Sequence, residues 1–309
     1  MTKHVIHNFD DLLRCASKIP DKIVVVVSPH TAETFGSVIE AQRSLHVKAI
    51  LVGDRDVIER GLAAQGSDAS GFEIVHQPDV NAALQASIEL ARNSRADILM
   101  KGSVDTSTMM KAVLEERSGL RTGRLLSDIF VLEYPPREHN KFIMITDGGM
   151  TLAPDLKNKV ELINNAVEVA HVLGNPNPKV AVLSATEFVV PSLPSTLDAA
   201  ALSKMNDRGQ IKGCIVDGPF ALDNAISLEA AQEKAIASPV AGRAEILVAA
   251  NIESANSLAK STTYFAGLRL AHVIVGARVP ILIPSRADKS DAKLLSIALG
   301  MIMSDVGRE

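Results

Sequence analysis

Three stretches of the chain place hydroxyls, amides and cations where a polypeptide can hold an anion or an oxyanion. Val279–Leu294 reads VPILIPSRADKSDAKL, an apolar strand followed by Ser285 and Arg286 and then by the start of a helix. A guanidinium beside a helix N-terminus makes a site for negative charge, because backbone N–H groups and the helix dipole add to the cation. Asp288 and Asp291 fall in the same turn and have the chemistry of a general base. The competing reading is a capped helix, with Ser290 or Asp288 accepting backbone N–H groups and Arg286 paired to a neighbouring carboxylate. Asn251–Tyr264 reads NIESANSLAKSTTY, and Asn256 and Lys260, four apart, share one helical face and both donate hydrogen bonds. Lys101-Gly102-Ser103 sets a cation and a hydroxyl in a glycine turn after Asp97–Met100, with Thr106, Ser107 and Thr108 just beyond. Each stretch also fits an ordinary helix start with a hydroxyl or amide cap and an exposed lysine.

Several common chemistries lack their signatures. The chain has no GxGxxG fingerprint, no GxxxxGK[ST] loop, no HExxH and no GxSxG. The eight histidines and two cysteines show no metal-ligand spacing. What remains is chemistry done with hydroxyls, amides, cations and one carboxylate.

The elements that position these residues follow a repeating pattern: a short β-branched run, a polar or glycine turn, then an amphipathic stretch of helical length. Strands are expected at 23–27, 49–52, 73–75, 97–100, 129–133, 142–145, 180–183, 215–216, 246–248, 273–275 and 280–283. Helices are expected at 32–45, 54–65, 80–93, 105–117, 155–173, 196–206, 225–237, 255–266 and 291–302. Runs apolar on both faces, alternating with helices, indicate an α/β protein with largely parallel sheets. In such folds ligands bind beyond the carboxyl ends of strands. The turns Lys101–Ser103, Thr146–Gly149, Asp217–Pro219, Asn251–Ser254 and Ser285–Asp288 are therefore the places to look.

The chain has 309 residues, 47% hydrophobic but only 3% aromatic and without tryptophan, and a net charge of −4. The length suits two domains. No basic excess and few aromatic platforms argue against nucleic-acid binding. Apolar runs are far shorter than a membrane span. The N-terminal residues lack a signal-peptide core, and two isolated cysteines, Cys15 and Cys214, fit a reducing compartment. A cytoplasmic enzyme or small-ligand binder is expected.

Segments spread over residues 95–295 carry a family resemblance: ADILMKGSVDTSTMMKAV, GRLLSDIFVLE, ITDGGMTLAPDLKNKVELINNA, VDGPFALDNAIS, VAGRAEILVAANIESANSLAKSTTYFAG and VIVGARVPILIPSRAD. Together they resemble the phosphate acetyl/butyryltransferases, the phosphotransacylases. The resemblance implies two α/β domains with an interdomain cleft, an architecture like that of isocitrate and isopropylmalate dehydrogenases. The first domain would comprise 1–145 plus 274–309, and the second 146–273, with a break near Pro135–Asn140. It implies the reaction acyl phosphate + CoA ⇌ acyl-CoA + phosphate, with coenzyme A as substrate, no metal and no permanently bound cofactor. A homodimer or higher homo-oligomer is also implied. By the match, Ser285 and Arg286 hydrogen-bond the acyl carbonyl. Asn256 and Lys260, with Lys101 and Ser103, cradle phosphate, and Ser127 and Arg124 bind phosphate or coenzyme A. Asp291 is taken as the base, with Asp288 as its rival. The segments SRAD, DGPFALDNAIS and KGS point to butyryl-type short or branched acyl groups.

Four positions depart from the family pattern. Asp128 stands where a histidine is common, Thr151 where an asparagine is usual, and Ala250 and Ala255 replace a proline and a glycine. These departures motivate an alternative, a non-catalytic homologue that binds acyl-CoA or acyl phosphate. A two-domain dehydrogenase is a third reading, disfavoured by the missing dinucleotide fingerprint. For a chain of net charge −4 to bind polyanions, its cations must gather locally, at Lys101, Arg124, Lys260 and Arg286.

Overall fold

A computed structural model describes residues 5–136, 142–285 and 287–306. The chain divides into two compact units: Phe9–Arg124 with Ala271–Glu309, and Met1–Asn8 with Leu125–Leu270. The first of these opens with α1 (Phe9–Ala16), β1 (Ile23–Val27), α2 (Ala32–Leu45), β2 (Lys48–Gly53) and α3 (Arg55–Ala64). It continues with β3 (Glu73–His76), α4 (Val80–Arg92), β4 (Ile98–Lys101) and α5 (Thr106–Leu114). The helix starts follow local chemistry: Thr31, Asp54 and Asp79 accept the N–H groups of Thr34, Val57 and Ala82. The IVVVV run of β1 pairs in parallel with β2 and β4, and β2 with β3. The expected elements did not include α1, which buries Phe9, Leu12 and Ala16 on one face and carries Asp10 and Asp11 in its first turn.

The second unit holds β5 (Ser127–Glu133), β6 (Phe142–Thr146), α6 (Leu156–Val172), β7 (Lys179–Leu183), α7 (Pro194–Asp207) and β8 (Ile215–Phe220). Then come α8 (Leu222–Ile226), α9 (Leu228–Glu233), β9 (Ile246–Val248) and α10 (Ile252–Tyr264). Its strands run in the order β5-β6-β9-β7-β8, antiparallel at β5–β6 and parallel elsewhere. Phe130, Ile145, Phe220, Leu247, Ala255 and Ala259 belong to its buried apolar core. Two expectations are corrected here. Asp217–Pro219 is not a turn but part of β8. The helix expected at 225–237 is two short ones, because Ser227 adopts extended backbone and caps α9 by accepting the N–H of Ala230.

The chain then returns to the first unit through β10 (Leu270–Val275), β11 (Ile281–Leu282) and α11 (Ser290–Val306). β11 pairs antiparallel with β10 and parallel with β4, so this unit's strands run β3-β2-β1-β4-β11-β10. α11 packs on α1 and α2. The buried Lys22 donates to Ser304 O at 3.2 Å and pairs with Asp305 at 3.0 Å, holding the last turn of α11. The boundary expected at 145 falls at 124 instead. β5 and β6 pair with each other and β6 pairs with β9, which ties residues 125–146 to the second unit. Pro135 and Pro136 lie inside that unit, and the rest of the expected break, 137–140, lies outside the described residues.

Candidate functional site

In the first unit, β4 and β11 are parallel neighbours, with Leu282 in register with Met100. Lys101–Ser103 and Ser285 therefore both sit at the carboxyl ends of adjacent strands. The glycine turn is fastened to the end of β1: Gly102 N–H donates to Val27 O at 2.9 Å and Ser103 N–H to Ser28 O at 2.8 Å. A Cβ at position 102 would lie 2.3 Å from Val27 O and 2.5 Å from Ser28 O, so only glycine fits. Lys101 is 4% exposed, and its Nζ lies 3.3 Å from Gly102 O. Thr106 is half-buried, and Ser107 and Thr108 are exposed in the first turn of α5.

Ser285 is held at every backbone polar atom. Its N–H donates to Asp288 Oδ2 at 2.7 Å, and its carbonyl accepts the N–H of Asp288 at 3.1 Å and Lys293 Nζ at 3.2 Å. Its Oγ accepts the N–H of Ala287 at 3.4 Å. Lys293 also donates to Asp288 O. Burial pushes the Lys293 ammonium below the usual lysine range, opposed by the charges of Asp288 and Glu33. Asp291 is exposed in the first turn of α11, where its charge also suits the helix dipole. Arg124 is exposed, and its N–H donates to Thr122 Oγ1 at 3.3 Å. Arg286 lies outside the described residues.

In the second unit, the antiparallel pairing brings the first residues of β5 to the carboxyl end of β6. Continuing the register Phe130↔Ile145 puts Asp128 opposite Asp147 and Ser127 opposite Gly148. The Asp147 carboxylate accepts the N–H groups of Asp128 (3.1 Å), Gly149 (3.0 Å), Met150 (3.0 Å) and Thr151 (2.8 Å). Burial raises this carboxyl above the usual aspartate range; the N–H of Gly149 opposes the shift and the Asp128 charge adds to it. Asp128 Oδ2 lies against Gly149, where a Cβ would meet it at 2.5 Å. Gly148 O accepts Asn256 Nδ2 at 2.9 Å, which joins this turn to α10. Asn256 is exposed, with Lys260 half-buried one turn further along. Asn251 and Ser254 form a reciprocal capping box at the start of α10.

Ser127 is fully buried, and its Oγ accepts Asn165 Nδ2 at 2.8 Å, while the same amide donates to Leu125 O at 2.9 Å. Ala255 is buried in the second unit's apolar core. Thr151 contributes a backbone N–H that any residue but proline supplies. The first unit thus gathers Lys101, Ser103, Ser285 and Asp291 on β4, β11 and the start of α11, and carries Arg124 at its edge. In the second, Ser127 begins β5 opposite the Asp147 turn, Asn256 is tied to that turn through Gly148 O, and Lys260 follows one turn along α10. Asp147, Asn165 and Lys293 were not anticipated. The turn Thr146–Gly149 pointed near Asp147; Asn165 and Lys293 lie within helices and carry no local signal. Among the described residues, no cluster of three or more His, Cys, Asp or Glu is placed to hold a metal ion. No described helix is long and apolar enough to cross a membrane.

The fold is α/β, with polar residues and cations near the carboxyl ends of its strands. Residues 18–301 match the family described as phosphate acetyl/butaryl transferase, and the chain belongs to that family. It is 41% identical over 301 residues to the phosphate butyryltransferase of Clostridium acetobutylicum, covering 97% of this chain and 99% of that protein. It is also 41% identical over 283 residues to the phosphate acetyltransferase of Thermotoga maritima, covering 92% and 95%. A solved branched-chain phosphotransacylase from Enterococcus faecalis superposes with a TM-score of 0.80 at 29% identity, covering 92% of this chain and 99% of that one. A putative 4-hydroxythreonine-4-phosphate dehydrogenase from Salmonella typhimurium shares the fold alone, with a TM-score of 0.57 at 13% identity, over 92% of this chain and 99% of that one.

Proposed function

We propose that this protein moves a short acyl group between phosphate and coenzyme A, acyl phosphate + CoA ⇌ acyl-CoA + phosphate, with butyryl or branched short chains preferred. The observation that carries the reading is end-to-end similarity to phosphate acyltransferases, which spans both units and every assigned residue. The branched-chain transacylase neighbour supports the preference. Equal identity to a butyryl- and an acetyltransferase leaves acyl length to the assay.

In this reading Asp291 takes the proton of the coenzyme A thiol. The thiolate attacks the acyl carbonyl, forming the C–S bond, and the bond from the acyl carbon to the bridging oxygen breaks, that oxygen leaving on phosphate with the electron pair. Ser285 and Arg286 donate to the carbonyl oxygen as it gains charge. Lys101, Ser103, Asn256 and Lys260 hold phosphate, and Arg124 holds phosphate or coenzyme A. Ser127 fits a different part from the one first expected. Its hydroxyl is buried against Asn165, which favours fixing the start of β5 over touching phosphate. The test is a series of acetyl, propionyl, butyryl and isobutyryl phosphate with coenzyme A, following thioester formation. Higher kcat/KM for the four-carbon chains supports the preference, and a clear acetyl optimum refutes it.

A non-catalytic binding role is the second reading. It is favoured by Asp128, whose buried carboxylate lies beside the turn that carries Asn256's partner, Gly148. Stabilisation by coenzyme A esters with no turnover of any of the four acyl phosphates would support it.

A further inference from the structure

We propose that Lys293 is a positioning residue for acyl transfer, its buried ammonium bridging the carbonyl oxygens of Ser285 and Asp288 and so fixing the turn that presents the Ser285 hydroxyl. The proposal rests on the reading above, in which Ser285 contacts the acyl carbonyl. Lys293 is only 2% exposed, on the first turns of α11, and its Nζ reaches Ser285 O at 3.2 Å and also Asp288 O. An ammonium in such a place carries a desolvation cost that an apolar side chain of similar length would not. Two carbonyls of one turn are what it holds in return.

The consequence for Ser285 is specific. Its N–H is taken by Asp288 Oδ2, and its carbonyl is shared between the Asp288 N–H and Lys293. With Oγ accepting from the Ala287 N–H, the hydroxyl hydrogen is left to donate to an oxygen outside the turn. That is the geometry an oxyanion donor needs, and a small displacement of such a donor costs rate rather than binding. Asp288, the other tie, thereby fits turn closure better than proton abstraction.

The test is a double-mutant cycle in steady-state turnover of butyryl-CoA with phosphate, using Lys293→Met, Lys293→Gln, Ser285→Ala and the two double variants. Lys293→Met should lower kcat by roughly tenfold to a hundredfold with KM for both substrates unchanged. Lys293→Gln, which keeps an N–H donor, should fall between it and the wild type. In the Ser285→Ala background neither change should cost further activity, since the group being positioned is gone. Loss by the same factor in both backgrounds would mean that Lys293 acts elsewhere and would overturn the proposal, as would wild-type kcat in Lys293→Met. Wild-type turnover in Ser285→Ala would overturn the reading of Ser285 itself, and this proposal with it. Thermal unfolding checks each variant; should Lys293→Met fail to fold, the glutamine variant carries the same comparisons.

Discussion

Asp128 and Asp147 face each other where β5 begins and β6 ends, and the N–H of Asp128 donates to the Asp147 carboxylate at 3.1 Å. Both side chains are buried, at 1% and 3% exposure. The Asp128 charge opposes ionisation of Asp147, while four N–H groups gathered on Asp147 favour its charged form. Burial decides the balance, and the Asp147 carboxyl titrates above its ordinary value.

The sign of the resulting pH dependence follows from proton counting. Between the unfolded carboxyl value, about 3.9, and the raised folded value, the folded chain holds a proton that the unfolded chain has released. The contribution of Asp147 to stability is therefore complete at low pH and is lost as pH rises through the folded value. Thermal unfolding of wild type and Asp147→Asn across this range checks it. The wild type should lose stability relative to the asparagine variant as pH rises, and a constant difference between them would contradict the assignment.

Gly102→Ala should be disruptive well beyond a lost glycine. The new methyl would meet two carbonyl oxygens at the end of β1, at 2.3 and 2.5 Å, and backbone in a central strand cannot swing aside. A cost of about 1–3 kcal/mol is expected, together with loss of turnover as Lys101 and Ser103 shift. Denaturant unfolding and the thioester assay measure the two effects separately.

Asn165→Leu removes a buried amide that donates both to Leu125 O and to Ser127 Oγ. Leaving these acceptors without their donor should cost about 1–3 kcal/mol. Ser127→Ala on top of it should cost less than the two single changes summed, because one partner of the lost bond is already absent. Additive losses in urea unfolding would show the pair to be independent.

The architecture was legible wherever the signal is local. The IVVVV run of β1 and the alternation of strand and helix act over a few neighbouring residues. Strand direction is not local, so the antiparallel pairs β5–β6 and β10–β11 gave no warning, nor did the earlier unit boundary that follows from the first of them. The site shows the same division. Lys101, Ser103 and Ser285 were found at strand ends, and Asn256 by its four-residue spacing from Lys260 on the helix after β9. Asn165 works on residues 38 and 40 positions away, and Lys293 reaches back from the first turn of α11 to Ser285, so their roles emerge only once the chain is folded. Family resemblance, not periodicity, supplied the chemistry.

Neither cysteine is suited to serve as a nucleophile. Burial pushes the Cys214 thiol up to about 11, and burial also raises Cys15, with Lys18 and Arg14 opposing. Both are thiols at neutral pH and react slowly. Treating the enzyme with iodoacetamide at neutral pH, then removing the reagent, should leave turnover intact. Rapid inactivation that coenzyme A prevents would contradict a mechanism in which the substrate supplies the only reacting thiol.

The most direct test of the whole account is phosphate-dependent release of free coenzyme A thiol from butyryl-CoA by the purified full chain. Steady thiol release that requires phosphate, persists in wild-type protein without added metal, and falls sharply in Arg286→Ala is the predicted result. No release above the protein-free control from butyryl-, isobutyryl-, propionyl- or acetyl-CoA, with phosphate present and the protein folded, would contradict it.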